Sequence, residues 1–244
     1  MEPLWRDHSH RRLVEPFAGG LAVALGLRPR AALLCDRNAH VIAFYRWLQA
    51  GFDPSAVDVR LENDRAVFAR NRDRFNELIA TAQSETLEAA VLFYYLNRTG
   101  FNGLCRFNAS GYFNVPFGRY KRIEYRDAAY FTRYKDALTR YEFACADFSS
   151  LSLEPDDFVY ADPPYDVEFT SYSAGGFPWT EQVRLAHWLA AHSGPVVASN
   201  QATDRVLELY RGLGFTVRTL PAPRRISCNG NRDSASEMIA LRNL

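Results

Sequence analysis

The stretch "VYADPPYDVE", residues 159–168, sets two adjacent prolines between an aspartate and a tyrosine, directly after the apolar run "DFVYA". Proline donates no backbone hydrogen bond and fixes φ, so Pro163 and Pro164 must end whatever strand runs through Phe158–Ala161. A stiff, donor-free turn is therefore expected at the C-terminal end of a strand. A carboxylate precedes it and an aromatic ring follows it.

Working outward, apolar runs of strand length recur at Arg12–Glu15, Ala31–Cys35, Phe143–Ala146, Pro195–Ser199, Phe215–Leu220 and Glu237–Leu241. Helical patterns lie between several of them, at Ala22–Leu27, Val41–Ala50, Thr180–Ala191 and Asp204–Leu213. Alternating strands and helices predict an α/β sheet with helices on both faces. The alternation fails between about residue 55 and residue 141. There, Asn63–Ala82 and Glu85–Asn97 read as helices, followed by "TGFNGLCRFNASGYFNVPFGRY" (99–120), in which "NASG" separates two aromatic-bearing segments. That is a hairpin signal. Tyr125–Tyr141 then reads as a further helix. The chain is thus expected to be an α/β body, residues 1–55 and 141–244, interrupted by a mainly helical insert, residues 56–140, that carries a β-hairpin.

The 244 residues are 48% apolar, enough for a sizeable core. The four cysteines are scattered, with no CxxC and no Cys/His cluster at metal spacing, which argues against a disulfide framework or a zinc site and for a reducing compartment. Trp5, Asp7, His8 and His10 stand where a signal peptide would need an apolar core, and no run approaches a membrane span, so a soluble cytoplasmic protein is expected. The net charge of +1 says little, but residues 98–140 hold nine Arg and Lys against three Asp and Glu. Phe101, Phe107, Tyr112, Phe113, Phe117 and Tyr120 are interleaved with these charges. Such a mixture is either a solvated basic face or a surface that tracks phosphates and stacks on bases.

The first strand ends in "LVEPFAGGLAVALG" (13–26), where Gly19 and Gly20 permit a tight turn and close ligand approach before a helix. The dinucleotide fingerprint G-x-G-x-x-G is not met, which counts against NAD or FAD. Asp36 ends the next strand, where an acid can accept from ribose hydroxyls; a helix N-cap is the structural alternative. In the opening stretch, the Asp162 carboxylate and the Pro163 carbonyl are both acceptors on a stiff turn and suit the two hydrogens of one amino group. Tyr165 suits stacking on the flat ring that bears that amine. The structural alternative is a strand-ending turn with an N-capping aspartate.

"VEPFAGG", "FNGLCRFNASGYFNVPFGRY", "YADPPYD", "VASNQAT" and "RRISCNGNRDSASEMIAL" stand in this order over residues 13–244. Together they resemble the Dam-type, or D12 class, N6-adenine-specific DNA methyltransferases. The resemblance implies a class I, Rossmann-like methyltransferase sheet, with residues 56–140 as a target-recognition insert. It implies S-adenosylmethionine as methyl donor, with Glu15, Pro16, Phe17 and Gly19 at its methionine end, Asp36 at its ribose, Asp147 and Phe148 at its adenine, and Asp162 at the edge of the same site. Asp162, Pro163, Pro164 and Tyr165 would hold an adenine flipped out of double-stranded DNA, since its N6 is otherwise paired and stacked. Phe169 and Tyr172 would be pocket wall or helix packing. Methyl transfer would be direct, with no nucleophilic cysteine and no metal.

For the hairpin, the resemblance puts Asn102, Leu104, Arg106 and Pro116 at base edges in the major groove and Phe101 as a wedge in the stack. Arg106 can bind guanine bidentately, and Leu104 or Pro116 can touch a thymine methyl. Arg119, Tyr120, Lys121 and Arg122 would contact the backbone, and Arg224 and Arg225 would hold phosphates beside the flipped nucleotide. Phe107, Tyr112 and Phe113 read as hairpin packing, and Arg126–Arg140 as a solvated helix face. GATC is the leading target. A cognate restriction endonuclease is left open as a functional, not physical, partner.

Two departures stand out. Family members normally open with a Lys-Trp-x-Gly-Gly-Lys-like segment that grips the donor and carries a lysine for the outer guanine, whereas this chain opens "MEPLWRDHSHRRLVEPF". Either the start was assigned too far downstream or the copy lacks part of the donor site, with Met1–Trp5 the tail of the following helix. The loop "DPPYDVEFTSYSAGGF" is also shorter than in the enteric enzymes. The rival readings are an RNA N6-adenine methyltransferase and a DNA-binding relic with impaired donor binding. A hairpin suited to a B-form major groove weighs against the first, and the intact Asp162–Tyr165 against the second.

Overall fold

Each of the seven apolar runs becomes a strand in the computed structural model, which describes residues 1–166, 177–222 and 235–244. The strands are β1 (Leu13–Glu15), β2 (Ala32–Asp36), β3 (Tyr141–Cys145), β4 (Phe158–Ala161), β5 (Val196–Gln201), β6 (Thr216–Ala222) and β7 (Ala235–Arg242). They form one sheet in the order β3-β2-β1-β4-β5-β7-β6. The pairs β1–β2, β1–β4 and β4–β5 are parallel, and β7 runs antiparallel to both β5 and β6. This is the class I methyltransferase sheet. Strand β1 and most of β4 and β5 are buried residue after residue rather than alternately, as central strands covered on both faces must be.

The helices are α1 (Glu2–Trp5), α2 (Ala22–Leu27), α3 (Ala39–Ala50), α4 (Arg65–Ala80), α5 (Leu87–Thr99), α6 (Ala128–Leu138), α7 (Trp179–Ala190) and α8 (Asp204–Gly212). Side-chain caps set several of their starts. Asn38 accepts from the His40 and Val41 amides, Asp64 from Ala66 and Val67, and Asp127 from Tyr130, each satisfying an orphan donor of the first turn. α6 is shorter than its sequence pattern because Tyr141 already belongs to β3.

By contacts the chain divides into two compact units, Met1–Arg37 with Ala144–Leu244, and Asn38–Phe143. The core of the first is built on Val14, Val159, Ala161, Leu185, Leu189, Val196 and Val206, from the central strands and from α7 and α8. The second is packed by Phe68, Phe75, Leu78, Leu92, Phe93, Tyr95 and Leu96 of α4 and α5, joined by Phe113 and Val115. α3 belongs to this second unit: Phe44 lies 6.0 Å from Phe93, and Gln49 Nε2 donates to the carbonyls of Leu138 and Tyr141 at 2.7 and 2.9 Å.

The expected hairpin is not a pair of regular strands. Its two arms meet through isolated bridges, Phe107 with Phe113 and Gly100 with Phe117. Arg119 and Asn102 hold positive φ, which no continuous strand tolerates. The "NASG" turn itself is as expected: the Gly111 N–H donates to the Asn108 carbonyl at 2.9 Å, and the Asn108 side chain accepts from the Ser110 and Tyr112 amides. Among the described residues no helix is long and apolar enough to cross a membrane.

Candidate active site

In the sheet, β1 has β2 on one side and β4 on the other, so the crossovers leave in opposite directions at this point. The C-terminal ends of β1 and β4 therefore stand at the switch point of the sheet, the usual ligand position in such folds. Glu15 closes β1 and is 2% exposed. Burial pushes its carboxyl up to about 8, and the charge of neighbouring Asp162 adds to this, while a hydrogen bond from the Ala24 amide opposes it. Glu15 Oε1 has no hydrogen-bond partner among the described residues.

Pro16 is buried and Phe17 half-buried, and the turn that follows is held by β2. The Ala18 N–H donates to the Cys35 carbonyl at 2.7 Å, and the Gly19 N–H donates to Asp36 Oδ2 at 3.1 Å. Asp36 thus ties the turn, and the helix cap that it offered as an alternative role falls to Asn38. Gly19 has φ +44°, and a Cβ added at either Gly19 or Gly20 would meet nothing within 4 Å, so this face of the turn is open. A buried carboxylate oxygen without a donor, an open glycine turn and an acid at the end of β2 suit a cationic ligand with hydroxyl groups. S-adenosylmethionine has that chemistry.

Asp147 is already engaged. Arg184 of α7 binds it through NH1 to Oδ1 and NH2 to Oδ2 at 2.7 and 2.8 Å, and also reaches Glu181 and Ser149 Oγ. The Arg184 guanidinium, with help from Ser149, holds the Asp147 carboxyl well below the usual carboxylate range. Phe148 is 1% exposed, packed against Phe17, Phe177 and Trp188 with the Arg184 guanidinium 4.1 Å above its ring. In this structure Phe148 is a core ring, and Arg184 is the partner that sequence reading missed.

The Asp162–Tyr165 turn lies where its prolines required, one residue past β4. The register Ala161↔Ala198 brings Asp162 beside Ser199, and the Ser199 hydroxyl donates to Asp162 Oδ1 at 2.7 Å. The Tyr160 hydroxyl lies 3.4 Å from the same Ser199 oxygen. Burial raises the Tyr165 phenol, and Asp162 adds to this, so it stays protonated. Pro164 is exposed and its carbonyl accepts from Gln182 Nε2 of α7 at 2.8 Å. Gln182 Oε1 accepts from Asn200 Nδ2 at 2.9 Å, and Asn200 Oδ1 accepts from the Asp166 N–H at 3.1 Å. The Asp166 carboxylate, buried, is clasped by Arg205 and by Thr203 Oγ1. The Pro163 carbonyl accepts no hydrogen bond from the described residues. Ser199, Asn200 and Gln182 were missed by sequence reading. Ser199 and Asn200 showed as polar side chains in an otherwise apolar run, where burial calls for a partner, whereas Gln182 sits among Thr180, Glu181 and Arg184 of α7 and gave no such signal.

In the second unit, Phe101, Asn102, Leu104, Arg106, Pro116, Arg119, Tyr120, Lys121 and Arg122 are all exposed. Phe101 and Leu104 are apolar side chains left 47% and 39% in solvent. The arm from Phe113 to Pro116 alternates strictly: Phe113 and Val115 are buried, Asn114 and Pro116 exposed. Arg106 is braced across the hairpin, with Nε donating to Asn114 Oδ1 at 2.8 Å and NH2 to the Asn114 carbonyl at 3.0 Å. Phe107 stacks on His40 at 4.8 Å, so it and Phe113 pack rather than read. Tyr120 donates to the Gly100 carbonyl at 3.2 Å, and its ring crowds Gly118, where a Cβ would stand 2.4 Å from it. Arg133 and Arg126 sit over the Tyr130 ring at 4.2 and 4.7 Å, on the helix face read as solvated. Arg224, Arg225, Phe169 and Tyr172 lie outside the described residues.

A family model described as D12 class N6 adenine-specific DNA methyltransferase matches residues 3–221. The chain is 36% identical over 240 residues to the Retron Ec67 DNA adenine methylase of Escherichia coli, covering 94% of this chain and 82% of that protein. It is 35% identical over 250 residues to a DNA adenine methylase of Vibrio cholerae serotype O1, covering 95% and 87%. It is 34% identical over 245 residues to the DNA adenine methylase of Escherichia coli K12, covering 94% and 85%.

Proposed function

The chain belongs to the D12 class N6 adenine-specific DNA methyltransferases, and from that premise we propose that it moves the methyl group of S-adenosylmethionine to N6 of an adenine flipped out of duplex DNA, within GATC. The single observation that carries the reading is the turn at the end of β4. It offers Asp162 and the Pro163 carbonyl as acceptors on a backbone stiffened by two prolines, beside the buried Glu15 at the end of β1. Two acceptors on one exocyclic amine hold its hydrogens and make its lone pair more available, and fixed dipoles need no reorganisation as charge develops. Tyr165 stacks on the base.

S-adenosylmethionine supplies an electrophilic methyl group when bound. Glu15, Pro16, Phe17 and Gly19 hold its amino-acid end and Asp36 its ribose, while Asp147 lies towards its adenine with Phe148 packed in the core beside it. Positioning is the larger part of such catalysis. The functional domains are residues 1–55 with 141–244 for catalysis and 56–140 for recognition. Within the insert, Asn102, Leu104, Arg106 and Pro116 read base edges and Phe101 wedges into the stack. Arg119, Tyr120, Lys121 and Arg122 hold the backbone, as Arg224 and Arg225 do beside the flipped nucleotide. Acting on bacterial or phage DNA, the enzyme works in the cytoplasm.

Asp162→Ala tests this reading. Methyl transfer should fall below detection while duplex affinity stays within about threefold, because the phosphate contacts and the base-edge readout are assigned to other residues. Parallel loss of both would remove Asp162 from the chemistry.

A further inference from the structure

We propose that Ser199 of β5, Asn200 of β5 and Gln182 of α7 are positioning residues that pre-aim the two acceptors of the Asp162–Tyr165 turn at the target amine. The inference rests on the methyl-transfer reading and names the side chains that make its geometry possible.

Two consecutive prolines deprive this turn of the N–H donors by which turns are ordinarily pinned. Its fixing has to come through side chains, carbonyls and the N–H groups that follow the prolines. The structure supplies all three. Ser199 Oγ holds Asp162 Oδ1 at 2.7 Å before the prolines, Gln182 Nε2 holds the Pro164 carbonyl at 2.8 Å, and Asn200 Oδ1 holds the Asp166 N–H at 3.1 Å after them. Gln182 and Asn200 orient each other through a 2.9 Å amide–amide bond, and both are buried, at 1% and 0% exposure. Arg205 and Thr203 anchor the far end by holding the Asp166 carboxylate.

What these contacts leave out matters as much. They pin the groups on either side of Pro163 and leave its carbonyl without a donor among the described residues. Ser199 takes Oδ1 of Asp162, and Oδ2 accepts no hydrogen bond from the described residues. A hydroxyl has a single hydrogen, so the one given to Asp162 commits the Ser199 oxygen to accepting, and the Tyr160 hydroxyl at 3.4 Å is placed to donate to it. One acceptor of the carboxylate and one backbone carbonyl remain, the number that a primary aromatic amine needs. Fold stability alone does not call for such a network, since buried polar groups can often be exchanged for apolar ones of like shape at little cost.

The test is single-turnover methyl transfer from tritiated S-adenosylmethionine to a GATC duplex, both saturating, with dissociation constants for donor and duplex and thermal melting measured alongside. Ser199→Ala and Gln182→Met should each slow transfer about tenfold or more, the scale of one misplaced hydrogen bond. Both dissociation constants should stay within about twofold. Ser199→Thr, which keeps the hydroxyl, should recover most of the rate that Ser199→Ala loses. Unchanged transfer in Ser199→Ala or in Gln182→Met would overturn the role of that residue. A loss that only tracks lowered melting temperature or weakened donor binding would overturn it as well. Wild-type protein that methylates no adenine duplex would instead bring down the functional reading beneath it.

Discussion

Asn76 of α4 grips Phe113 as a neighbouring strand would: its Oδ1 accepts from the Phe113 N–H at 2.8 Å, and its Nδ2 donates to the Phe113 carbonyl at 3.2 Å. One side-chain amide thus replaces a ladder partner for an arm that has few backbone bonds of its own. It also fixes the phase of the alternation, with Phe113 and Val115 inward and Asn114 and Pro116 outward.

Asn76→Ala should therefore loosen the hairpin before anything else. Leaving two partly buried backbone groups unpaired should cost about 2 kcal/mol. Hydrogen exchange should show the Phe113 amide losing protection while the amides of α5 keep theirs. Unchanged protection at Phe113 would mean that the hairpin holds its shape without Asn76.

That contact illustrates what was legible in the sequence and what was not. The seven strands could be read because each is a short apolar run, six of them with Gly, Pro or Asp at an end, and "VYADPP" marked its own end. The DPPY turn was legible for the same reason, since proline acts locally. The hairpin was legible as a turn, through Asn108 and Gly111, but not as irregular arms, because Asn76 stands 37 residues away from its partner. Asp147 shows the same limit. Nothing near "CADF" reveals that Arg184, 37 residues on, occupies its carboxylate. Ser199 and Asn200 lay inside a quoted stretch, yet their partners become visible only when β4 and β5 are set in register.

Glu15 makes stability depend on pH in a direction that can be worked out. Its folded-state value, pushed up to about 8 chiefly by burial, lies above the ordinary carboxylate value. The folded protein then keeps a proton that the unfolded chain releases, so stability falls as pH rises from about 4 through the folded value, and levels off beyond it. Glu15→Gln removes the group that titrates. In the absence of donor, this variant should match wild type near pH 4 and exceed it at pH 9 by on the order of 5 kcal/mol. Urea unfolding at the two pH values checks this. A variant less stable than wild type at pH 9 would contradict it.

Arg106 and Lys121 should separate reading from holding. Arg106→Ala should cost roughly 1–3 kcal/mol of duplex binding and relax preference at one guanine. Lys121→Ala should weaken all duplexes alike and lower the salt slope by about 1. Competition binding against a panel of single-base variants, at several salt concentrations, distinguishes them. A uniform loss in Arg106→Ala would make it a phosphate contact.

The most direct test of the central claim uses the 244-residue protein, tritiated S-adenosylmethionine and two duplexes that differ only in GATC versus GTTC. Label should enter the GATC duplex alone and be recovered as N6-methyladenine after digestion. Equal labelling of both duplexes would contradict the assigned target, and labelling of neither, with DNA still bound, would contradict methyl transfer by this chain.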